Sequence, residues 1–203
     1  MSTLLLARCQ PFAKRSLVMT WHGQHANATD AAVASAYRAA NETVRLDILN
    51  LRSMPKVSIG GPTSNYALVM GHAHFCLCPQ GSSSYTARVF EALLAGCIPV
   101  ILSDDLKFPF DSFVDWSKIS IRWPMRRVGV EMYDYLSNLI AQDPAKVMRM
   151  QEAVQEARCW FDYFGILENP MTCSPYLAIL LSLRRRMEAR PRQQHGFEVS
   201  NFA

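Results

Sequence analysis

Residues 75–105 read FCLCPQGSSSYTARVFEALLAGCIPVILSDD, and this stretch decides the fold. An apolar run enters the turn Pro79-Gln80-Gly81 and three serines. A helix-compatible segment follows around residues 86–95, Gly96 closes it, and a second apolar run over 98–102 stops at Ser103-Asp104-Asp105. Two short apolar runs joined by a helix make a strand–loop–helix–strand unit of a parallel sheet. In open parallel sheets ligands bind in the crevice beyond the carboxyl ends of the strands. The polar residues that end both runs are therefore candidates for a pocket wall.

The flanking sequence extends this pattern. Residues 16–21 form a strand that stops at His22-Gly23-Gln24, residues 57–59 a possible short strand, and residues 119–123 another. Residues 31–41 are helix-compatible through their alanines, and residues 65–73 make a short helix with Tyr66, Val69 and Met70 on one side. Met132, Leu136, Leu139 and Ile140 form a helical stripe. Asp143-Pro144 then reads as an N-cap with proline at the first helical position, opening a helix whose apolar residues run from Val147 to Phe161. A last helix over 176–187 grades into basic residues, and the run from Arg184 to Arg192 reads as a solvated helix end. Strands alternating with helices predict an α/β fold with a mainly parallel, Rossmann-like sheet of about four strands. That is small for a complete two-substrate enzyme. The domain is placed at residues 1–190, with 191–203 as a loose basic and polar tail.

Composition bounds the function. The chain has 203 residues, half of them apolar, and a net charge of +4. It has enough apolar residues for a core, and its charge favours an anionic ligand weakly and a dedicated nucleic-acid binder not at all. No apolar stretch approaches the roughly 20 residues that span a bilayer, and residues 1–12 lack the basic region of a signal peptide. The six cysteines (9, 76, 78, 97, 159 and 173) are too sparse for a disulfide scaffold, and four lie in apolar contexts that read as buried thiols. The sequons at Asn27 and Asn41 matter only in a secretory lumen.

Several groups along this framework are suited to chemistry. Gly81 permits a tight turn, and Ser82, Ser83 and Ser84 precede a helix whose free N–H groups would suit a phosphate; a plain serine N-cap is the competing reading. This is not a Walker loop, since its lysine and glycine spacing are missing. Arg88 can take a diphosphate in a bidentate manner and Glu91 can accept from ribose hydroxyls, or the two form a solvated i, i+3 pair. Asp104 or Asp105 could face the crevice, although capping of the next turn is favoured for at least one. Gly23 would let backbone approach a phosphate, or is a simple turn glycine. His72, His74, Cys76 and Cys78 alternate, but positions i and i+6 of a strand lie about 20 Å apart, so core packing is a better reading than zinc.

Residues 75–123 resemble the exostosin family, glycosyltransferase family 47. The carriers are Phe75-Cys76-Leu77-Cys78-Pro79-x-Gly81, Phe90-Glu91-Ala92-Leu93-x-Ala95-Gly96-Cys97-Ile98-Pro99-Val100-Ile101-x-Ser103-Asp104-Asp105, then Pro109-Phe110 and Asp115-Trp116-Ser117. Weaker resemblance runs from about Lys14 to Phe164. It implies the C-terminal, donor-binding half of a GT-B glycosyltransferase: inverting, metal-independent and without a cofactor, acting in the Golgi lumen as a type II membrane enzyme. It would transfer sugar from a nucleotide-sugar, expected to be a UDP-sugar, to a saccharide or glycan acceptor, beside an N-terminal acceptor domain or a homologous partner chain. By the family pattern Glu91 holds the ribose, and Gly81, Ser83 and Arg88 surround the diphosphate; no catalytic residue is assigned. The family usually reads G-D-S-P-x-S-R-R-L-F-E here, whereas this chain has Ser82 for the aspartate, Ser84 for the proline and Ala87 for the first arginine. These departures motivate an alternative, a catalytically silent partner that supports an active glycosyltransferase.

Overall fold

A computed structural model describes residues 11–23, 43–81, 83–163 and 173–189. The expected helix over 31–41, both sequon asparagines, Cys9, Ser82 and the tail from 191 lie outside the described residues. Five strands, β1 (Leu17–His22), β2 (Val57–Gly60), β3 (Ala73–Pro79), β4 (Ile98–Leu102) and β5 (Ile121–Arg122), form one sheet in the order β2-β1-β3-β4-β5. Every neighbouring pair is parallel. The sheet is thus one strand larger than the four or so expected.

The connections are α1 (residues 43–50), α2 (Tyr66–His72), α3 (Arg88–Leu94) and α4 (Trp116–Ile119), followed by α5 (Val130–Gln142), α6 (Pro144–Ala157) and α7 (Pro175–Ala189). The chain leaves β1 toward β2 on one side, then recrosses it to reach β3. Right-handed crossovers in opposite directions place helices on both faces of a sheet. All residues of β3 and β4 are accordingly buried, so these strands read as continuous apolar runs rather than as alternation.

Local chemistry accounts for the boundaries. Gly96 adopts a φ of 68°, and the Gly96 and Cys97 N–H groups donate to Leu93 and Ala92 carbonyls at 3.0 and 2.9 Å. This is a Schellman closure, for which glycine has no Cβ penalty. At α6 the Asp143 carboxylate accepts from the Lys146 N–H at 2.9 Å, with Pro144 opening the helix as expected. The helix stops at Ala157 and a 3-10 turn (Arg158–Trp160) replaces its expected last turn. The strand expected over 119–123 is shortened to two residues, because Asp115 accepts from the Ser117 N–H and starts α4.

One expectation is corrected in the core. Four of the cysteines read as sparse thiols are paired, Cys76 with Cys97 and Cys159 with Cys173. Sheet pairing of β3 with β4 brings Cys76 and Cys97 to a Cα separation of 5.8 Å across 21 residues of sequence, a proximity that no local pattern encodes. Cys78 stays a free, buried thiol. Helix α1 has no counterpart among the expected elements: Val44, Ile48 and Leu51 follow helical spacing and are at most 3% exposed.

Below the sheet, the buried Arg15 donates to the carbonyls of Met70, Ala73 and Gly96. It thereby ties the starts of β1 and β3 to the end of α3.

Candidate functional site

A cavity of about 480 Å³ opens at the carboxyl ends of β1 and β3. These are the strands between which the connections reverse direction, the switch point where doubly wound sheets of this order bind ligands. Trp21 and His22 come from β1 with Gly23 just beyond it, Pro79 ends β3 with Gly81 in the loop that follows, Tyr66 comes from α2, and Arg88 and Glu91 from α3. Arg45 of α1 and the loop residues Pro62, Thr63, Ser83, Tyr85, Thr86 and Ala87 complete the wall.

The loop after β3 is held tightly. Gly81 N–H donates to the Tyr85 carbonyl at 3.0 Å, and a Cβ at position 81 would lie 2.8 Å from that same oxygen. Glycine is therefore required here by close backbone approach rather than by a positive φ. Ser103 Oγ donates to the Ser84 carbonyl at 2.9 Å, fixing the loop to the end of β4. The serines do not open the helix as expected: α3 begins at Arg88, after an Ala87 N-cap that makes no side-chain bond. The Arg88 N–H lies 3.3 Å from Thr86 Oγ1 instead.

Within α3 the buried stripe is Val89, Ala92 and Leu93, at i, i+3 and i+4. Phe90 and Leu94 are only partly buried, and Phe90 contacts the Tyr85 and Phe161 rings. That register turns Arg88 and Glu91 toward the cavity. Arg88 Nε stands 3.3 Å from Glu91 Oε2, and the guanidinium carbon lies 4.8 Å from the Tyr66 ring centroid. Tyr66 OH donates to Glu91 Oε1 at 3.3 Å. Burial, then the nearby Glu91 carboxylate, pushes the Tyr66 phenol up, which keeps it a donor. Arg88 Nη1 is buried without a hydrogen-bond partner among the described residues. A buried N–H donor left unmade costs about 1–3 kcal/mol, so this one is well matched to an incoming anion.

Five of the eight expected site residues, Gly23, Gly81, Ser83, Arg88 and Glu91, thus meet in one cavity. Asp104 and Asp105 are not on its wall. Asp104 Oδ1 accepts from the Met125 N–H at 3.3 Å, which caps the segment after β5, and Asp105 is exposed. The alternating row above β3 is split among separate tasks: Cys76 is bonded to Cys97, and His74 is buried near Gln151, Nδ1 to Nε2 3.5 Å.

Arg45, Tyr66 and Trp21 were not foreseen in the site. Arg45 Nη2 donates to the Gln80 carbonyl at 2.9 Å, and its guanidinium lies 5.8 Å from the Trp21 ring centroid. The heptad-like spacing of Val44, Ile48 and Leu51 was the signal that would have placed Arg45 on a helix beside the sheet.

With this geometry in view, the Exostosin GT47 domain model matches residues 9–133, and the chain belongs to that family. A probable glucuronosyltransferase of Oryza sativa is 45% identical over 58 residues, 29% of this chain and 14% of that protein. Exostosin-1 of Drosophila melanogaster is 33% identical over 105 residues, 52% of this chain and 13% of its own length. The probable glucuronoxylan glucuronosyltransferase IRX7 of Arabidopsis thaliana is 34% identical over 89 residues, covering 44% and 20%. The chain therefore spans a fifth or less of these relatives. A solved structure of S. aureus TarM aligns with 88% of this chain and 37% of that one, at 12% identity and a TM-score of 0.47.

Proposed function

We infer that this chain is the donor-binding half of a GT-B glycosyltransferase that uses a nucleotide-sugar, a UDP-sugar by family pattern. What carries the reading is one observation in a member of the exostosin family: Arg88, with an unpartnered buried N–H, sits beside Glu91 at the switch-point cavity. In the proposed reaction an acceptor hydroxyl attacks the anomeric carbon with inversion. The bond from that carbon to the diphosphate oxygen breaks, its electron pair leaves with the diphosphate, and the hydroxyl proton passes to a base on the acceptor side. Arg88, with Arg45 across the cavity, offsets the growing negative charge in the role a metal ion would otherwise fill. Glu91 receives the ribose hydroxyls, and Gly81 lets backbone approach the diphosphate. Two disulfides fit an oxidising compartment and so support a Golgi lumen; among the described residues no helix is long and apolar enough to cross a membrane.

A second reading rests on Ala87. It lines the cavity where the family pattern has an arginine, so one leaving-group contact is missing, as expected of a silent partner of an active enzyme.

Thermal shift and calorimetry of the chain with UDP, GDP and ADP test the donor site. UDP should stabilise the chain, by about 2.7 kcal/mol at a hundred times its Kd, and Arg88→Ala should remove the effect. A folded chain that no nucleotide stabilises would overturn the donor-site reading. Binding without transfer in the presence of acceptor saccharides would favour the silent partner.

A further inference from the structure

α7 carries a row of large apolar side chains that its own domain leaves exposed. Its inner face, held against the 3-10 turn Arg158–Trp160, carries the buried Pro175 and Ala178 and the half-buried Leu181 and Ser182. Four large side chains point the other way: Tyr176 is 55% exposed, Leu180 63%, Leu183 50% and Met187 75%. These four follow a spacing of four, three and four residues, which at about 100° per residue confines them to a narrow arc. Their spacing is that of the d and a positions of a coiled coil, with the exposed Ile179 and the half-buried Leu177 on either flank. Arg184 and Arg186 flank the seam in its last turn, at e and g. Arg185, on the opposite side, reaches the Ser112 carbonyl and the Phe113 ring.

The seam is presented rigidly. The Cys159–Cys173 disulfide staples the chain just before α7 to the 3-10 turn after α6, and Tyr163 packs edge-on against Tyr176 with centroids 5.8 Å apart. Only Leu177 and Leu181 among its large apolar side chains are half-buried, so the helix leaves its outer row uncovered by its own domain.

We propose that this seam docks one helix of a different polypeptide chain, apolar along its length and acidic at the end that meets Arg184 and Arg186. Charge selects that occupant. Residues 184–188 carry three arginines and one glutamate, and the Arg184–Glu188 pair is exposed and readily exchanged. Two copies of α7 packed parallel would crowd their arginines together. Packed antiparallel, they would set Arg184 and Arg186 against Leu177 and Ile179 of the other copy. Neither arrangement supplies an acid, and desolvating an unpaired charge is costly.

The test uses the full chain and a labelled three-heptad peptide with leucine at a and d and glutamate at e and g. A control peptide carries arginine at e and g. The expected result is a monomeric chain by sedimentation that binds the glutamate peptide and not the arginine peptide. Leu180→Ser with Leu183→Ser should weaken that binding by at least about tenfold while leaving the thermal midpoint in place, since both side chains are exposed. A dimer dissolved by the double variant would overturn the proposal in favour of self-association, and binding to phosphatidylserine vesicles would do so in favour of a membrane. Equal binding of both peptides, or of neither, would also overturn it.

Discussion

Arg88 Nε lies 3.3 Å from Glu91 Oε2, while Tyr66 OH donates to Glu91 Oε1 at the same distance. Glu91 therefore orients a cation on one oxygen and accepts from a phenol on the other, at the mouth of the switch-point cavity. Replacing it by alanine should loosen Arg88 and remove the proposed ribose acceptor together. Calorimetry with UDP should show about a tenfold weaker Kd for Glu91→Ala, close to one charged hydrogen bond. The thermal midpoint should hardly change, because Glu91 is outside the buried stripe of α3. Unchanged affinity would remove Glu91 from the donor site.

Ala87 stands one residue before Arg88 on the same wall. Ala87→Arg should add a second guanidinium to the diphosphate region and tighten UDP binding by about tenfold, the scale of one charge-assisted bond. Equal affinity in a folded variant would show that a side chain at this position does not reach the diphosphate.

The Cys76–Cys97 bond closes a loop that contains the whole β3–α3 connection. Changing both cysteines to alanine should cost about 3 kcal/mol, mostly by releasing the unfolded chain, and lower the midpoint by about 6–12 °C for a domain of this size. Differential scanning calorimetry under non-reducing conditions reads it. A midpoint unaffected by the double change would mean that the two thiols are not paired in the folded chain.

His74 is held neutral: burial first, then the neighbouring Arg15 guanidinium, lowers its pKa from 6.5 to about 4. A base whose folded pKa is depressed takes up its proton more readily when unfolded. Between pH 6.5 and 4 the unfolded chain thus binds more protons, and stability falls as pH falls through that window. From pH 7 to pH 5 the loss from this group should be about 2 kcal/mol, measured by urea unfolding. His74→Gln should flatten that part of the profile; a profile identical to that of the unmodified chain would show that His74 is not the group responsible.

Much of this architecture is legible along the chain because it depends on neighbours in sequence. The apolar runs that became β3 and β4, the glycine closing α3 and the Asp143-Pro144 start of α6 are satisfied by contacts within a few residues, and local patterns carry them. The same holds for Gly81, Arg88 and Glu91, which one loop and one turn of helix bring together. Other features escaped the local pattern because a distant residue intervenes. The loop serines were placed on the helix terminus, but Ser103 holds the Ser84 carbonyl and the Gly81–Tyr85 bond completes the loop before the helix begins.

By itself the sequence determined the parallel α/β class, the exostosin motif and the side of the sheet on which a ligand would sit, since hydrophobic period and turn chemistry are properties of short segments. It took the tertiary structure to bring Arg45, Trp21 and Tyr66 into the cavity with Arg88, to pair Cys76 with Cys97, to set Asp104 as the cap of a turn instead of facing the crevice, and to turn Tyr176, Leu180, Leu183 and Met187 of α7 outward. Each of these depends on strand order and helix rotation. Those are set by burying the whole apolar surface at once, a condition that no single segment carries.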